Sequence, residues 1–257
     1  MRAAFFDLDK TVIAKSSLGA LGPEFHHHGL IKRWTLVRGL GSQLWFLWFG
    51  ADEGKLDKIR ETLMKITRGW DRDEVRQLVA ATLNEVIEPL IYAEALELID
   101  HHKAIGDEVW IVSSSPVEVV EPFAELLEIN GAIGSRAAID DNNRYTGELE
   151  FFARGENKAV AMRELAALRG IDLSESSAYS DSETDVPMLE AVGHPYAVNA
   201  DRVLTRIAHD RSWPILTFAR PVRAHDRRRS RTPVIVGAVV VGGLTVAERF
   251  WKFSRRD

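Results

Sequence analysis

A chain of 257 residues that is 46% hydrophobic and 28% charged can bury the core of one large domain, or of a core with an insert, which excludes a small disordered tail. A net charge of −5 gives no reason to expect nucleic acid as the main partner. With no cysteine there is neither a disulfide nor a thiolate metal site, so any metal must sit on oxygen or imidazole, in keeping with a reducing compartment.

The N-terminus reaches a carboxylate at Asp7 too soon for the apolar region of a secretory signal, and a cytoplasmic location is the default expectation. Ala3, Ala4, Phe5 and Phe6 form an apolar run that stops abruptly at Asp7, the pattern of a buried parallel strand whose C-terminal end carries polar chemistry. Over residues 30–48, Leu30, Trp34, Val37, Leu44 and Trp48 recur at helical spacing. Further helices are predicted over 52–67 and 71–87, with Gly69 ending the first and Asp71 capping the second. These make an all-helical insert.

After Pro89 the pattern changes to helix, strand, helix. A strand is predicted over 108–112, a helix over 117–129, a hairpin at the polar turn Asp140-Asp141-Asn142-Asn143, a helix over 156–169, and strands over 177–179 and 195–198. Alternation of this kind predicts an α/β fold, a doubly wound parallel sheet, with a core of residues 1–15 and 90–220 interrupted by a helical cap at 16–89. Residues 221–257 form a basic linker, with Arg227, Arg228 and Arg229, and an uncharged stretch over 232–247. As a helix that stretch would be roughly 24 Å long, short of the roughly 30 Å hydrocarbon core of a bilayer. The cationic and aromatic residues after it, among them Arg249 and Trp251, resemble interfacial anchors and leave open an attachment to the inner face of the cell membrane.

Groups of one chemical character stand at the predicted strand ends: Asp7 and Asp9 after the first strand, Ser113 after Ile111 and Val112, Lys158 at a helix start, Asp181 and Asp185 after Tyr179. Loops leaving the carboxyl ends of a parallel sheet converge on one crevice, so these groups can meet. Taken singly, each has a plainer reading. An Asp-x-Asp pair caps turns, Ser113-Ser114-Ser115-Pro116 is a helix N-cap, and a lysine at a helix start is solvated. Adjacent histidines at His26, His27 and His28 point in different directions and rarely satisfy one ion. Trp34, Trp45 and Trp48 are read first as cap core or lid contacts, otherwise as contacts to lipid or an apolar substrate.

With the motifs in that order over residues 3–198, the sequence resembles the haloacid dehalogenase superfamily, specifically the phosphatase branch with a helical cap after the first motif (subfamily IB), the group that includes phosphoserine phosphatase-like enzymes. The resemblance implies that Asp7 is the nucleophile, forming an aspartyl-phosphate, and that Asp9 is the general acid and base. It implies that Thr11, Ser113, the amide of Ser114 and Lys158 bind the phosphoryl group. It places Mg2+ on Asp7, Asp9 through its carbonyl, and Asp181, with Asp185 orienting Lys158 or a metal-bound water. The physical reading agrees: a carboxylate attacking a phosphate dianion meets like-charge repulsion that a divalent cation and a lysine would relieve.

The expected activity is therefore Mg-dependent hydrolysis of a small phosphomonoester. Ala14-Lys15-Ser16-Ser17 lacks the acidic residue with which phosphoserine phosphatase proper reads its substrate, and Ser113-Ser114-Ser115-Pro116 lacks the usual glycine pair. Phosphoserine itself, phosphoryl transfer to an acceptor other than water, and a membrane-tethered phosphate-binding protein without turnover stay open as alternatives. The tryptophans and the tail motivate a lipid-derived or membrane-proximal ester.

Overall fold

A computed structural model describes residues 1–27 and 65–220. The expected helices over 30–48 and most of 52–67, the tryptophans at 34, 45 and 48, His28 and the linker and tail at 221–257 lie outside the described residues. Among the described residues, no helix is long and apolar enough to cross a membrane.

Strand β1 (Ala3–Phe6) lies centrally in a seven-stranded sheet of order β4-β3-β2-β1-β5-β6-β7. The others are β2 (Glu108–Pro116), β3 (Gly131–Ile139), β4 (Tyr145–Phe151), β5 (Ser177–Ser180), β6 (His194–Val198) and β7 (Ile215–Leu216). All pairings are parallel except β3 with β4, the hairpin expected at residues 140–143. Among the described residues the α-helices are α1 (Ser17–His27), α2 (Arg72–Thr82), α3 (Ala93–Ala104), α4 (Val117–Leu126), α5 (Glu156–Arg169), α6 (Val186–Glu190) and α7 (Arg202–Asp210).

Both faces of the sheet are covered, and β1 shows why an unbroken apolar run was needed there. Ala4 and Phe6 join a cluster with Leu21, Phe25, Val79, Ile99 and Phe123, while Ala3 and Phe5 join a second one with Met162, Ala166, Met188 and Leu204. Successive residues of a strand point to opposite faces, so neighbours along β1 are buried by opposite layers. From β1 the chain winds outward to β2 and β3, then returns to β5 and winds the other way. The reversal falls between β1 and β5, where a doubly wound sheet opens a crevice at the carboxyl ends of its strands.

The helix expected over 117–129 ends at Leu126, and two further element ends are corrected. The helix expected over 71–87 starts as read, with the Asp71 carboxylate accepting the amides of Asp73 and Glu74, but regular winding stops at Thr82. There the threonine hydroxyl donates to the Leu78 and Val79 carbonyls, competing for helical acceptors. A π-helical turn over Leu83–Ile87 and a tight turn over Glu88–Leu90 follow, imposed by Pro89, which has no amide to donate. Strand β2 also runs on to Pro116, so Ser113 and Ser114 sit within the strand rather than beyond it. Helices α1, α6 and α7 and strand β7 are not among the predicted elements.

Gly134 of β3 lies against the junction of β2 and α4, where an added Cβ would meet Val120 Cγ2 at 2.6 Å, the Ser115 carbonyl at 2.9 Å and the Val117 amide at 3.0 Å. Gly134→Ala is expected to destabilise the chain by about 1–3 kcal/mol through overpacking. An unchanged urea midpoint would show that the junction yields freely.

Beneath the crevice, Phe6, Tyr179 and Tyr196 of adjacent strands stack with ring centroids 4.4 and 4.8 Å apart. Buried His102 closes the stack, with Nε2 2.9 Å from the Tyr179 hydroxyl and Nδ1 2.8 Å from Asp107. Burial pushes the His102 imidazole below its usual 6.5, and Asp107 only partly opposes this. The unfolded chain therefore takes up the proton first as pH falls. Stability from this residue is complete above about pH 6.5 and is lost progressively below it. Unfolding free energies measured from pH 7 down to about pH 5 should fall more steeply in the native chain than in His102→Gln; parallel curves would refute the assignment.

Candidate active site

The Asp7 amide donates to the Tyr179 carbonyl at 2.9 Å, extending the β1–β5 pairing by one residue and fixing the Asp7 side chain at the mouth of the crevice. The chain then turns tightly, because the amides of Val12 and Ile13 both donate to the Leu8 carbonyl. Asp9 leaves that turn beside the N-terminus of α1, where its carboxylate accepts the Ser17 amide at 2.9 Å. Free amides and the helix dipole favour negative charge at such a position.

Lys158 enters from the first turn of α5. Its Nζ donates to Asp7 Oδ1 at 2.6 Å and to Asp185 Oδ2 at 2.7 Å, with all three side chains buried. The Ser180 hydroxyl donates to the same Asp185 oxygen at 2.7 Å. Asp181, also buried, has among the described residues a long ion-pair contact, 4.0 Å, to the ammonium of Lys10. Residues separated by 151 positions in the chain thus share one hydrogen bond, and the structure brings Asp7, Lys158 and Asp185 together with Asp9 and Asp181 beside them.

The electrostatics show an excess of negative charge. Burial pushes the Asp7 carboxyl well above the usual carboxylate range; the Lys158 ammonium pulls it back, and Asp185 and Asp181 push it up again. Burial likewise pushes Asp181 up to about 7 against the opposing Lys10 ammonium, and raises Asp9 against the opposing Ser17 amide. Burial alone would lower Lys158, but Asp185 and Asp7 outweigh it and leave the amine raised, a fixed positive charge. Buried carboxylates crowded around one buried ammonium make a pocket that favours a further cation.

Among the described residues, no cluster of three or more His, Asp or Glu forms a ready-made metal cage, and His26 and His27 end α1 without forming one. This donor set suits an ion that takes few protein ligands. Magnesium keeps several waters and binds through one or two carboxylates plus substrate phosphate; Asp7 and Asp181 with the Asp9 carbonyl fit that demand.

Ser113, Ser114 and Thr11 stand differently. Buried Ser113 accepts the Ser115 amide on its hydroxyl at 3.1 Å, and the Ser114 carbonyl accepts the Ser135 hydroxyl at 2.7 Å. The Thr11 hydroxyl is buried and, among the described residues, is the side-chain polar atom left without a partner, which leaves it a donor to spare for a ligand. Sequence reasoning missed three supporting residues. Ser17 braces Asp9 and joins its hydroxyl to Ser115 at 2.8 Å, Ser180 holds Asp185, and Asn199 Nδ2 donates to the Lys10 carbonyl at 3.4 Å. Ser180 was findable, since it lies inside Ser180-Asp181-Ser182-Glu183-Thr184-Asp185; Ser17 and Asn199 carry no such signal. A surface groove of about 290 Å³ lined by Val117, Ile133, Gly134 and Leu165 contains none of the site residues, so carboxylate chemistry rather than concavity locates the site.

A doubly wound sheet that gathers carboxylates around one buried lysine at its switch point defines a hydrolytic α/β enzyme of the kind that works on phosphate. Residues 4–190 match the family described as haloacid dehalogenase-like hydrolase. The chain is 47% identical to the "inhibition of morphological differentiation protein" of Streptomyces azureus, over 99% of this chain and 94% of that one. It is 44% identical to a probable phosphatase of Mycobacterium tuberculosis, over 95% of this chain and 84% of that one. A solved structure of a phospho-aspartyl intermediate analogue of phosphoserine phosphatase shares the fold with a TM-score of 0.60 at 20% identity, covering 88% of this chain and 98% of that one. The chain belongs to the haloacid dehalogenase-like hydrolases, as a phosphatase of that family.

Proposed function

We propose that this phosphatase hydrolyses small phosphomonoesters in two steps, with the phosphoryl group carried between them on Asp7. The observation that carries the proposal is the Lys158 ammonium set 2.6 Å from Asp7 and 2.7 Å from Asp185 at the switch point. A carboxylate so placed has a positive charge beside it and a wall, Asp185, that fixes where that charge sits. The phosphoryl oxygens then meet Lys158 and the amide and hydroxyl donors at Thr11, Ser113 and Ser114.

In the first step an Asp7 oxygen forms a bond to phosphorus as the ester P–O bond breaks, and Asp9 gives its proton to the departing alkoxide. The raised Asp9 carboxyl supports this role, because it must be protonated before it can act as an acid. In the second step a water attacks phosphorus, Asp9 takes the water's proton, and phosphate leaves with Asp7 restored. Mg2+, held by Asp7, Asp181 and the Asp9 carbonyl, would supply charge neutralisation between nucleophile and phosphoryl group. Residues 16–89 are proposed to act as a cap that excludes water while the ester is bound to the core at 1–15 and 90–220.

The test is phosphate release from a panel of phosphomonoesters with magnesium, using native chain and Asp9→Asn. Native chain should turn over at least one alkyl ester, and the variant should lose about 10²–10⁴-fold on it, the range for general acid–base catalysis. p-Nitrophenyl phosphate, whose leaving group needs no acid, should still give a burst of nitrophenolate in the variant as phosphoryl-enzyme accumulates. Absence of phosphate release from every ester, with a phosphate analogue still bound, would overturn the proposal in favour of a binding protein.

A further inference from the structure

Lys10 is not explained by the mechanism above. It sits in the left-handed region at φ +61°, a conformation natural to glycine and uncommon for a lysine. The tight turn after Leu8 takes it there, and the surroundings brace it: the Asn199 side-chain amide donates to the Lys10 carbonyl, and Asn199 is itself left-handed at φ +46°. Asn199 is pinned in turn, its amide donating to the Leu216 carbonyl at 3.0 Å and its Oδ1 accepting the Phe218 amide at 2.9 Å. Backbone strain kept in place by a brace of this kind is concentrated where a side chain must be aimed.

The side chain so aimed has capacity to spare. Its ammonium offers three donors, yet its ion-pair contact is the long one to Asp181, and the side chain is 52% exposed. Lys158, by contrast, is 3% exposed and committed to Asp7 and Asp185. Lys10 also follows directly on Asp9, the proposed acid, which must touch the ester oxygen. A flexible cationic stem beside that acid, loosely held at Asp181 and half exposed, is within reach of an anion on the alcohol part of the substrate.

Resting on the phosphatase reading, we infer that Lys10 is a specificity-determining residue. It selects phosphomonoesters whose alcohol carries a second anionic group, a carboxylate or another phosphate, within a few bonds of the ester oxygen.

The test compares kcat/KM for phosphoglycolate and ethylene glycol bisphosphate with that for ethyl phosphate, which lacks the second anion. Native chain should prefer one or both anionic esters by about tenfold or more, the effect of one charge-assisted hydrogen bond. Which of the two is preferred tells a carboxylate from a phosphate. Lys10→Gln should collapse that ratio, and Lys10→Arg should keep most of it. Lys10→Gly, which relaxes the left-handed backbone, should collapse it in a chain at least as stable, separating recognition from folding. An equal change on all three esters, or no preference in the native chain, overturns the inference. If none of the three is turned over, the hydrolysis reading fails for them, and their affinities by titration calorimetry decide Lys10 alone: a ratio that is the same in native chain and Lys10→Gln refutes its role.

Discussion

Asp7→Asn is expected to lower turnover on the order of 10⁵-fold, the scale on which removing a covalent nucleophile acts. Asn is nearly isosteric and retains an oxygen for Lys158, so the fold should survive. The unfolding midpoint should stay the same or rise, because the substitution removes a buried carboxyl whose charge is disfavoured by burial and then by Asp185 and Asp181, against the opposing Lys158 ammonium, which keeps Asp185 as its partner. Activity and stability therefore separate in this variant. Phosphate release by Asp7→Asn within tenfold of the native chain would show that the nucleophile is another group.

Lys158→Met should damage both quantities. The ammonium is the buried partner of two carboxylates, and removing one member of a buried ion pair typically costs about 3–5 kcal/mol, since the remaining charge must be neutralised or left uncompensated. Turnover should fall by at least about 10³-fold, because charge stabilisation of the phosphoryl group goes with it. Adding Asp185→Asn to Lys158→Met should recover part of the stability without recovering turnover. A double-mutant cycle from urea denaturation measures that coupling directly. Strict additivity of the two substitutions would mean that the short Lys158–Asp185 bond carries no energy, against the geometry seen here.

Much of the fold was legible because the chain states it locally. The run Ala3 to Phe6 had to be buried on both faces, and its halt at Asp7 marked the carboxyl edge. Helix α5 was read with its true ends since Gly170, left-handed at φ +70°, stops it. Helix α1 was hidden by Gly19, Gly22 and Pro23, residues that disfavour helix on propensity, and is held by burial of Leu21 and Phe25 in the core. Two-residue β7 is too short to carry a period. Helix α2 was overrun because the stop lies in a side chain, the Thr82 hydroxyl, rather than in the apolar pattern.

The site divides in the same way. Asp7, Asp9, Lys158, Asp181 and Asp185 were found as chemical types at strand and helix ends, since convergence there follows from topology. Their braces were not. Nothing in the sequence says that Ser17 will hold Asp9 by its backbone amide, or that Asn199, far along the chain, will hold Lys10 in a left-handed turn. The membrane and lipid expectations rest on residues outside those described, so the substrate proposal leans on Lys10 instead.

The most direct measurement is a rapid acid quench during turnover of a phosphomonoester with magnesium, followed by peptide mass analysis. The account expects one phosphoryl group, labile to hydroxylamine as an acyl phosphate is, on the peptide containing Asp7, and none in Asp7→Asn. A phosphoryl group mapped to any other residue would contradict it, as would phosphate release at a full rate with no phosphorylated chain captured.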